Sequence, residues 1–238
     1  MTAPATPADA PTNAAGRARR FLADYAWIAS GEVLSKVAGF VAFAYLARVL
    51  APAAYGGVEL AVAVGLVGHL VVDFGIGPIA ARIVTQERGR ADALVRSVPA
   101  MRLALSLAGF ALAAALAPLL AATPEGRTLV LLYAGALLAA PWILDWLFQG
   151  LDRMKWVAPA NLLRMSVFLV GALVFVHGPE QVLRVGAIEV AGFGAMAAYY
   201  VLAARRHGER PRVAPDRDTL RVLVREAAPV GAGRLLWA

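Results

Sequence analysis

Six long apolar runs, separated by short polar stretches, constrain this chain more than anything else in it. They fall at 27–49, 58–79, 98–122, 128–149, 157–177 and 182–204, and a seventh begins near residue 222. Each of the six is long enough to cross a hydrocarbon core, which takes roughly 20 residues of helix. The chain is 60% hydrophobic with a mean hydropathy of +0.66, against about 45–50% apolar in a soluble domain. The expected fold class is therefore all-α: a polytopic transmembrane helix bundle, one six-helix lobe plus the start of a seventh helix. Pro118 and Pro141 lie inside runs and are expected to kink them, which membrane helices tolerate when neighbours re-satisfy the backbone.

The parsing that follows is a disordered tail over 1–20, a six-helix lobe over 21–204, a basic loop over 205–221 and the start of a seventh span over 222–238. Arg17, Arg19 and Arg20 before the first run imitate a signal peptide. The run is too long for one, and no small-residue cleavage site ends it. The chain stops at Trp237-Ala238 inside an apolar stretch with no helix-ending signal, so it reads as part of a longer protein.

Charge sets the orientation. Of 23 basic residues, 17 fall on the side of the N-terminus, three (Arg48, Arg127, Arg184) on the other, and three within the runs. Cytoplasmic loops carry such an excess, so the N-terminus and the loop after the sixth run are expected in the cytoplasm. The net charge of +7 is thereby assigned to the membrane surface and not to nucleic acid. Residues 80–97, with Ile83, Val84, Leu94 and Val95 among charges, read either as a segment lying on the inner surface or as a solvated linker.

An ionised side chain inside a span costs about 2.5–3.5 kcal/mol on insertion scales, so each one needs a reason. Glu32 and Lys36 stand four apart and share a helix face with Ser35 and Gly39. That polar stripe reads as a cavity lining facing the lobe's interior, or as a self-neutralising pair with Lys36 snorkelling. His69 and Asp73, also four apart, read as a proton or cation site or as a helix-locking pair. Asp145 and Gln149 share a face, Asn161 and Arg164 open the fifth run, and Glu189 sits in the sixth. Glu59 reads as a first-turn anion favoured by the helix dipole. Arg48, at the sparsely charged end, calls for a partner: Glu59 or an anionic substrate group.

Other chemistry is thin. There is no cysteine, the three histidines are far apart, and no phosphate-cradling Gly-Lys-Ser/Thr loop occurs. No cofactor and no metal are implied. Asp216-Arg217-Asp218 has the form of a cation-holding pair of a sugar transferase, but it precedes the helical run from Thr219 and reads as a helix start.

Ser35-Lys36-Val37-Ala38-Gly39-Phe40, then Leu46-Ala47-Arg48-Val49-Leu50-Ala51-Pro52 and Tyr55-Gly56, resemble the opening of bacterial polysaccharide-biosynthesis membrane proteins, the oligosaccharide-lipid flippases. Asp73-Phe74-Gly75-Ile76-Gly77 with Ala81-Arg82 resembles the end of that family's second helix, Trp146 to Leu151 with Arg153-Met154 its fourth-helix exit, and Asn161-Leu162-Leu163-Arg164 the start of its fifth. The resemblance implies the N-terminal half of a multidrug, oligosaccharidyl-lipid and polysaccharide exporter. Such a transporter has two six-helix lobes around a cavity. It is not an enzyme, and it carries a polyprenyl-pyrophosphate-linked oligosaccharide across the bacterial inner membrane. Cationic residues facing the pyrophosphate map onto Lys36, Arg48 and Arg164, with Glu32 beside them; Asp73, His69 and Asp145 are the candidate ion-coupling groups. Membrane lipid and polysaccharide-assembly proteins such as a polymerase are the implied partners. The rival readings are a multidrug or cation antiporter of the same superfamily, a membrane-embedded glycosyltransferase and a non-transporting scaffold.

Overall fold

The computed structural model describes the backbone of residues 10–236 and the side chains of residues 30–233. Its helices are α1 (Ala10–Val49), α2 (Pro52–Asp73), α3 (Ile76–Gln86), α4 (Ala91–Leu120), α5 (Pro124–Ala136), α6 (Asp145–Gly150), α7 (Val157–Phe175), α8 (Val182–Arg206) and α9 (Arg217–Leu236). The described residues contain no strand. Five helical segments, Pro52–Gln86, Arg88–Leu120, Pro124–Gly150, Met154–Phe175 and Pro179–Arg206, are long and apolar enough to cross a membrane. The all-α polytopic bundle expected from the sequence is the observed fold.

Local chemistry sets the helix ends. Pro52 and Pro124 occupy the first turns of α2 and α5, where a missing N–H costs nothing. Thr123 caps α5 by accepting the Gly126 N–H at 3.1 Å. The three arginines at the sparsely charged end all serve helix C-termini. Arg127 Nε donates to the Ala121 carbonyl at 3.0 Å, just past α4. Arg184 Nη1 donates to Phe175, the last residue of α7, at 3.0 Å. Arg48 stands in the last turn of α1. Cations there meet unpaired carbonyls and the negative end of the helix dipole, so these exceptions to the charge asymmetry have a local cause.

Several sequence-based boundaries shift. The tail reading for residues 1–9 lies outside the described residues, and from Ala10 the backbone is already helical. The second run does not continue to residue 79. Phe74 and Gly75 take left-handed conformations, φ 36° and 77°, which end α2 and turn the chain into α3. At Gly75 a Cβ would also meet the backbone nitrogen of Gly231 at 3.0 Å, so the turn and the close approach both require glycine. The fourth run is interrupted too. A 3-10 segment, Leu137–Trp142, carries Pro141, which has no N–H to donate, and extended backbone at Ile143 precedes α6. Residues 80–97 are not a solvated linker: they belong to α3, which buries Ile79, Ala80, Ile83 and Val84, and to the first turns of α4, which buries Leu94 and Val95. Glu59 stands well inside α2, not in its first turn, because the helix starts at Pro52.

Two apolar cores lie towards opposite ends of the bundle. One joins α1, α2, α5, α7 and α8 through Leu46, Val58, Leu129, Phe168 and Val185. The other joins α3, α4, α6, α8 and α9 through Ile76, Leu94, Phe148, Tyr200 and Leu223. The expected seventh span at 222 is part of α9, which begins earlier, buries Leu223 and Ala227, and ties Glu226 to Arg82 of α3 by an ion pair. Trp237 and Ala238 lie outside the described residues.

Candidate functional site

Three charged constellations sit on the bundle, two among the segments able to cross a membrane and one on α1, and the structure groups the sequence candidates differently from their spacing. The first centres on Arg102 of α4. Its Nη2 lies 2.6 Å from Asp73 Oδ1, at the last residue of α2. Its Nη1 donates to the Ile143 carbonyl at 2.8 Å and lies 4.0 Å from Asp145 Oδ1, at the start of α6. The Arg102 side chain is only 6% exposed. Asp73 Oδ1 also accepts the Gly77 N–H at 3.2 Å, so it links both sides of the α2–α3 break. One buried guanidinium thus holds the two places where membrane helices are interrupted.

The second constellation lies between α2, α5, α7 and α8. Arg164 Nη1 is 2.9 Å from Glu189 Oε1, and both side chains are largely buried. The guanidinium sits 4.6 Å from the centroid of the Phe193 ring, a cation–π distance. His69 stacks on the same ring at 4.6 Å. These groups, with Tyr133, line a cavity of about 160 Å³. His69 Nε2 and the Tyr133 hydroxyl are buried without a hydrogen-bond partner among the described residues. A cavity of that size with polar atoms on its wall suits a few waters or a proton-carrying chain of them.

His69 and Asp73 therefore do not form the pair that their spacing suggested. Asp73 ends its helix and turns to Arg102, while His69 turns to Phe193. Asp145 joins Asp73 around Arg102, and Arg164 joins His69. Arg102, Glu189, Tyr133 and Phe193 complete these constellations, and sequence reasoning assigned them no place in one. Glu189 was visible as a charge in a span, but the helix-to-helix pairing that gives it a role was not.

The third constellation is the Glu32–Lys36 pair of α1. Its atoms lie 3.4 Å apart, as the spacing requires. The expectation that it faces the interior of the lobe is overturned: the side chains are 51% and 76% exposed. Ser35 faces inwards instead, its hydroxyl donating to the Gly31 carbonyl at 2.8 Å, and the packing face continues through Ala42 and Leu46. The pair shares the outer face with Val33, Val37 and Phe40, all exposed. Arg48 is exposed, and Glu59 lies against the Tyr55 hydroxyl and not against it. Asp216 is a cap: its Oδ2 accepts the Thr219 N–H at 2.9 Å. No group of His, Cys, Asp and Glu suited to a metal ion occurs among the described residues.

A wider groove of about 320 Å³ runs between α2 and α4. It is lined by aliphatic residues and glycine, so it offers nothing to a charged ligand.

Residues 21–238 match the family described as "Polysaccharide biosynthesis protein". A search of curated proteins found no match. Among solved structures, the chain is similar to a MOP superfamily transporter from Pyrococcus furiosus Vc1 (DSM3638), with a TM-score of 0.67 and 17% identity, over 88% of this chain and 51% of that one. The polarity of that transporter's binding pocket is described as reversed, suggesting a different function. The chain is also similar to a multidrug resistance MATE family transporter of the MOP superfamily in an outward-facing conformation, with a TM-score of 0.61 and 19% identity, over 88% of this chain and 50% of that one. The chain spans about half the length of these transporters, and at such identities the likeness is one of fold.

Proposed function

Because the chain belongs to the polysaccharide biosynthesis protein family, we propose that it forms one lobe of a flippase for polyprenyl-pyrophosphate-linked oligosaccharide in a bacterial inner membrane, with its N-terminus in the cytoplasm. The lobe works by rocking against a second one around a wet cavity, with the glycan and pyrophosphate in the cavity and the lipid tail in the bilayer.

The observation that carries this reading is the Glu32–Lys36 pair on the outside of the lobe. A charge facing hydrocarbon costs about 2.5–3.5 kcal/mol, and a salt bridge relieves only part of that. An aqueous space against this face of α1 removes most of the penalty. It also presents an ammonium group to an anionic substrate, which an exporter of neutral or cationic compounds has no use for. Arg48, exposed at the far end of the same helix, extends the cationic character along the route. Arg164 is drawn off to Glu189 and Phe193. Its role in this reading is therefore to set the cavity beside His69, and not to touch pyrophosphate. His69 there, and Asp73 and Asp145 around Arg102, are the groups through which an ion gradient acts.

The test is complementation and flipping of a lipid-linked sugar by a full-length protein carrying Lys36→Ala. Loss of transport with normal insertion, and partial retention in Lys36→Arg, support the assignment. Normal transport by Lys36→Ala defeats it. Efflux of a cationic dye without movement of the lipid-linked sugar replaces it with the drug-antiporter reading.

A further inference from the structure

We infer that the loop following α8 is a binding site for the headgroup of an anionic phospholipid. The inference rests on the reading above only in placing this end of the bundle at a membrane surface. Helix α8 closes one of the membrane-crossing segments at Arg206, so the residues just beyond it stand at headgroup level. There, Arg205, Arg210, Pro211 and Arg212 line a concavity of about 430 Å³.

The concavity is held open from both sides. On the α8 side, Gly208 takes a left-handed φ of 85°, its N–H reaches the Arg205 carbonyl at 3.1 Å, and the Glu209 N–H reaches Ala204 at 3.0 Å. This arrangement stops the helix and fixes the turn. Pro211 is buried and pins the middle of the loop. On the α4 side, the Asp216 N–H donates to the Ser97 hydroxyl at 3.1 Å, and the Ala214 N–H approaches the Arg96 carbonyl at 3.4 Å.

Within that frame the arginines are exposed, and none has an ion pair or a hydrogen bond among the described residues. Six arginines elsewhere, Arg82, Arg90, Arg96, Arg102, Arg164 and Arg221, each find a carboxylate; what sets these three apart is that they share one concavity. Glu209, in the same loop, neutralises none of the three. The surroundings add positive charge. Arg153 and Lys155 lie near enough to act on His207, whose imidazole packs 5.1 Å from the Trp156 ring. Unpaired guanidinium groups gathered around one concavity match a phosphodiester, which accepts paired N–H donors. A soluble phosphate has the same chemistry. The position at the end of a span selects the lipid.

The test uses the 238-residue chain in phosphatidylcholine nanodiscs doped with phosphatidylglycerol. Lipids that stay bound on release are counted by native mass spectrometry. The expected result is a preference for phosphatidylglycerol that falls at least tenfold in R205Q/R210Q/R212Q, since each arginine near a charged surface is worth about 1 kcal/mol, or roughly fivefold. R88Q/R217Q/R221Q removes equal charge outside the concavity and is expected to keep the preference. R205K/R210K/R212K keeps the charge without the paired donors and is expected to lose part of it. If the glutamine triple does not insert, R210Q alone is read, with a severalfold loss expected. Equal losses in the two glutamine triples, or no preference in the unaltered chain, overturn the site. Displacement of the lipid by millimolar inorganic phosphate assigns it to a soluble anion and overturns it as well. No transport is read, so a chain that flips its substrate but shows no preference defeats this inference alone.

Discussion

Asp73 Oδ1 lies 2.6 Å from Arg102 Nη2, and the same oxygen accepts the Gly77 N–H across the break between α2 and α3. A carboxylate at the end of one helix thus does two jobs. It neutralises a guanidinium that is almost wholly buried, and it starts the helix that follows.

Removing one member of this pair should be more harmful than removing both. Asp73→Ala leaves the Arg102 charge buried beside Asp145 alone, and breaking a buried pair costs about 3–5 kcal/mol. Arg102→Met with Asp73→Asn leaves no ion uncompensated at that contact and should recover a large part of the loss. Thermal unfolding in detergent, run as a double-mutant cycle, measures the coupling. Additive losses would show that the two residues do not act as a unit.

Gly77 should be nearly as sensitive as the charges. A Cβ there would stand 2.9 Å from Asp73 Oδ1 and 3.0 Å from Arg102 Nη2. Gly77→Ala is therefore expected to push the pair apart and destabilise the lobe by about 1–3 kcal/mol, the range for disturbing a buried polar contact. Gly89 has nothing within 4 Å of its would-be Cβ. Gly89→Ala should be close to neutral in the same melting assay.

The sequence carries the fold class because hydrophobic length and arginine placement are local quantities. The Asp216 cap was readable for the same reason: the capping oxygen and its N–H are three residues apart. Pro141 signalled the break before Ile143, and the family resemblance marked Asp73 to Gly77 as a helix end; what was not readable is that Arg102, from another helix, holds both places. Helical spacing placed His69 under Asp73. Both lie in α2, so the spacing holds, but it does not say which neighbouring helix each side chain meets: Asp73 turns to Arg102 and His69 to Phe193. Lys36 shows a further limit. Spacing finds the stripe that Glu32 and Lys36 share, but not whether it turns towards the lobe's core or away from it.

His207 gives a pH signature at the basic end of the bundle. Burial of its ring, against Trp156 and Phe148, and then the cations Arg153 and Lys155 push its pKa below the ordinary 6.5. The native state therefore disfavours the charged form. Stability is full above the unfolded-state value and declines as pH falls through it, because the unfolded chain takes up the proton more readily. Melting temperatures of the chain and of His207→Gln, compared from about pH 8 to about pH 5, should converge at the upper end. On acidification the unaltered chain should lose more. Parallel curves would mean that His207 does not report this environment.

The outer face of α1 offers the sharpest test of where water lies. Phe40 is 75% exposed and Leu119, on α4, is 82% exposed, so exposure of the isolated lobe does not distinguish them. They differ in company: Phe40 follows Lys36 by one helical turn, on the face that carries Glu32, whereas Leu119 stands among apolar residues at the end of α4. If the face of α1 borders a cavity shared with a second lobe, a cysteine at Lys36 or Phe40 in a full-length protein should react with a membrane-impermeant maleimide. One at Leu119 should not, because hydrocarbon shields it and suppresses the thiolate that reacts. These 238 residues hold no cysteine, so with any cysteine elsewhere in the full-length protein replaced, each label reports a single position. Labelling at 36 and not at 40 would mean that only the snorkelling head reaches water. No labelling at either position would place this face against lipid or dry protein, and the substrate role of Lys36 would fall with it.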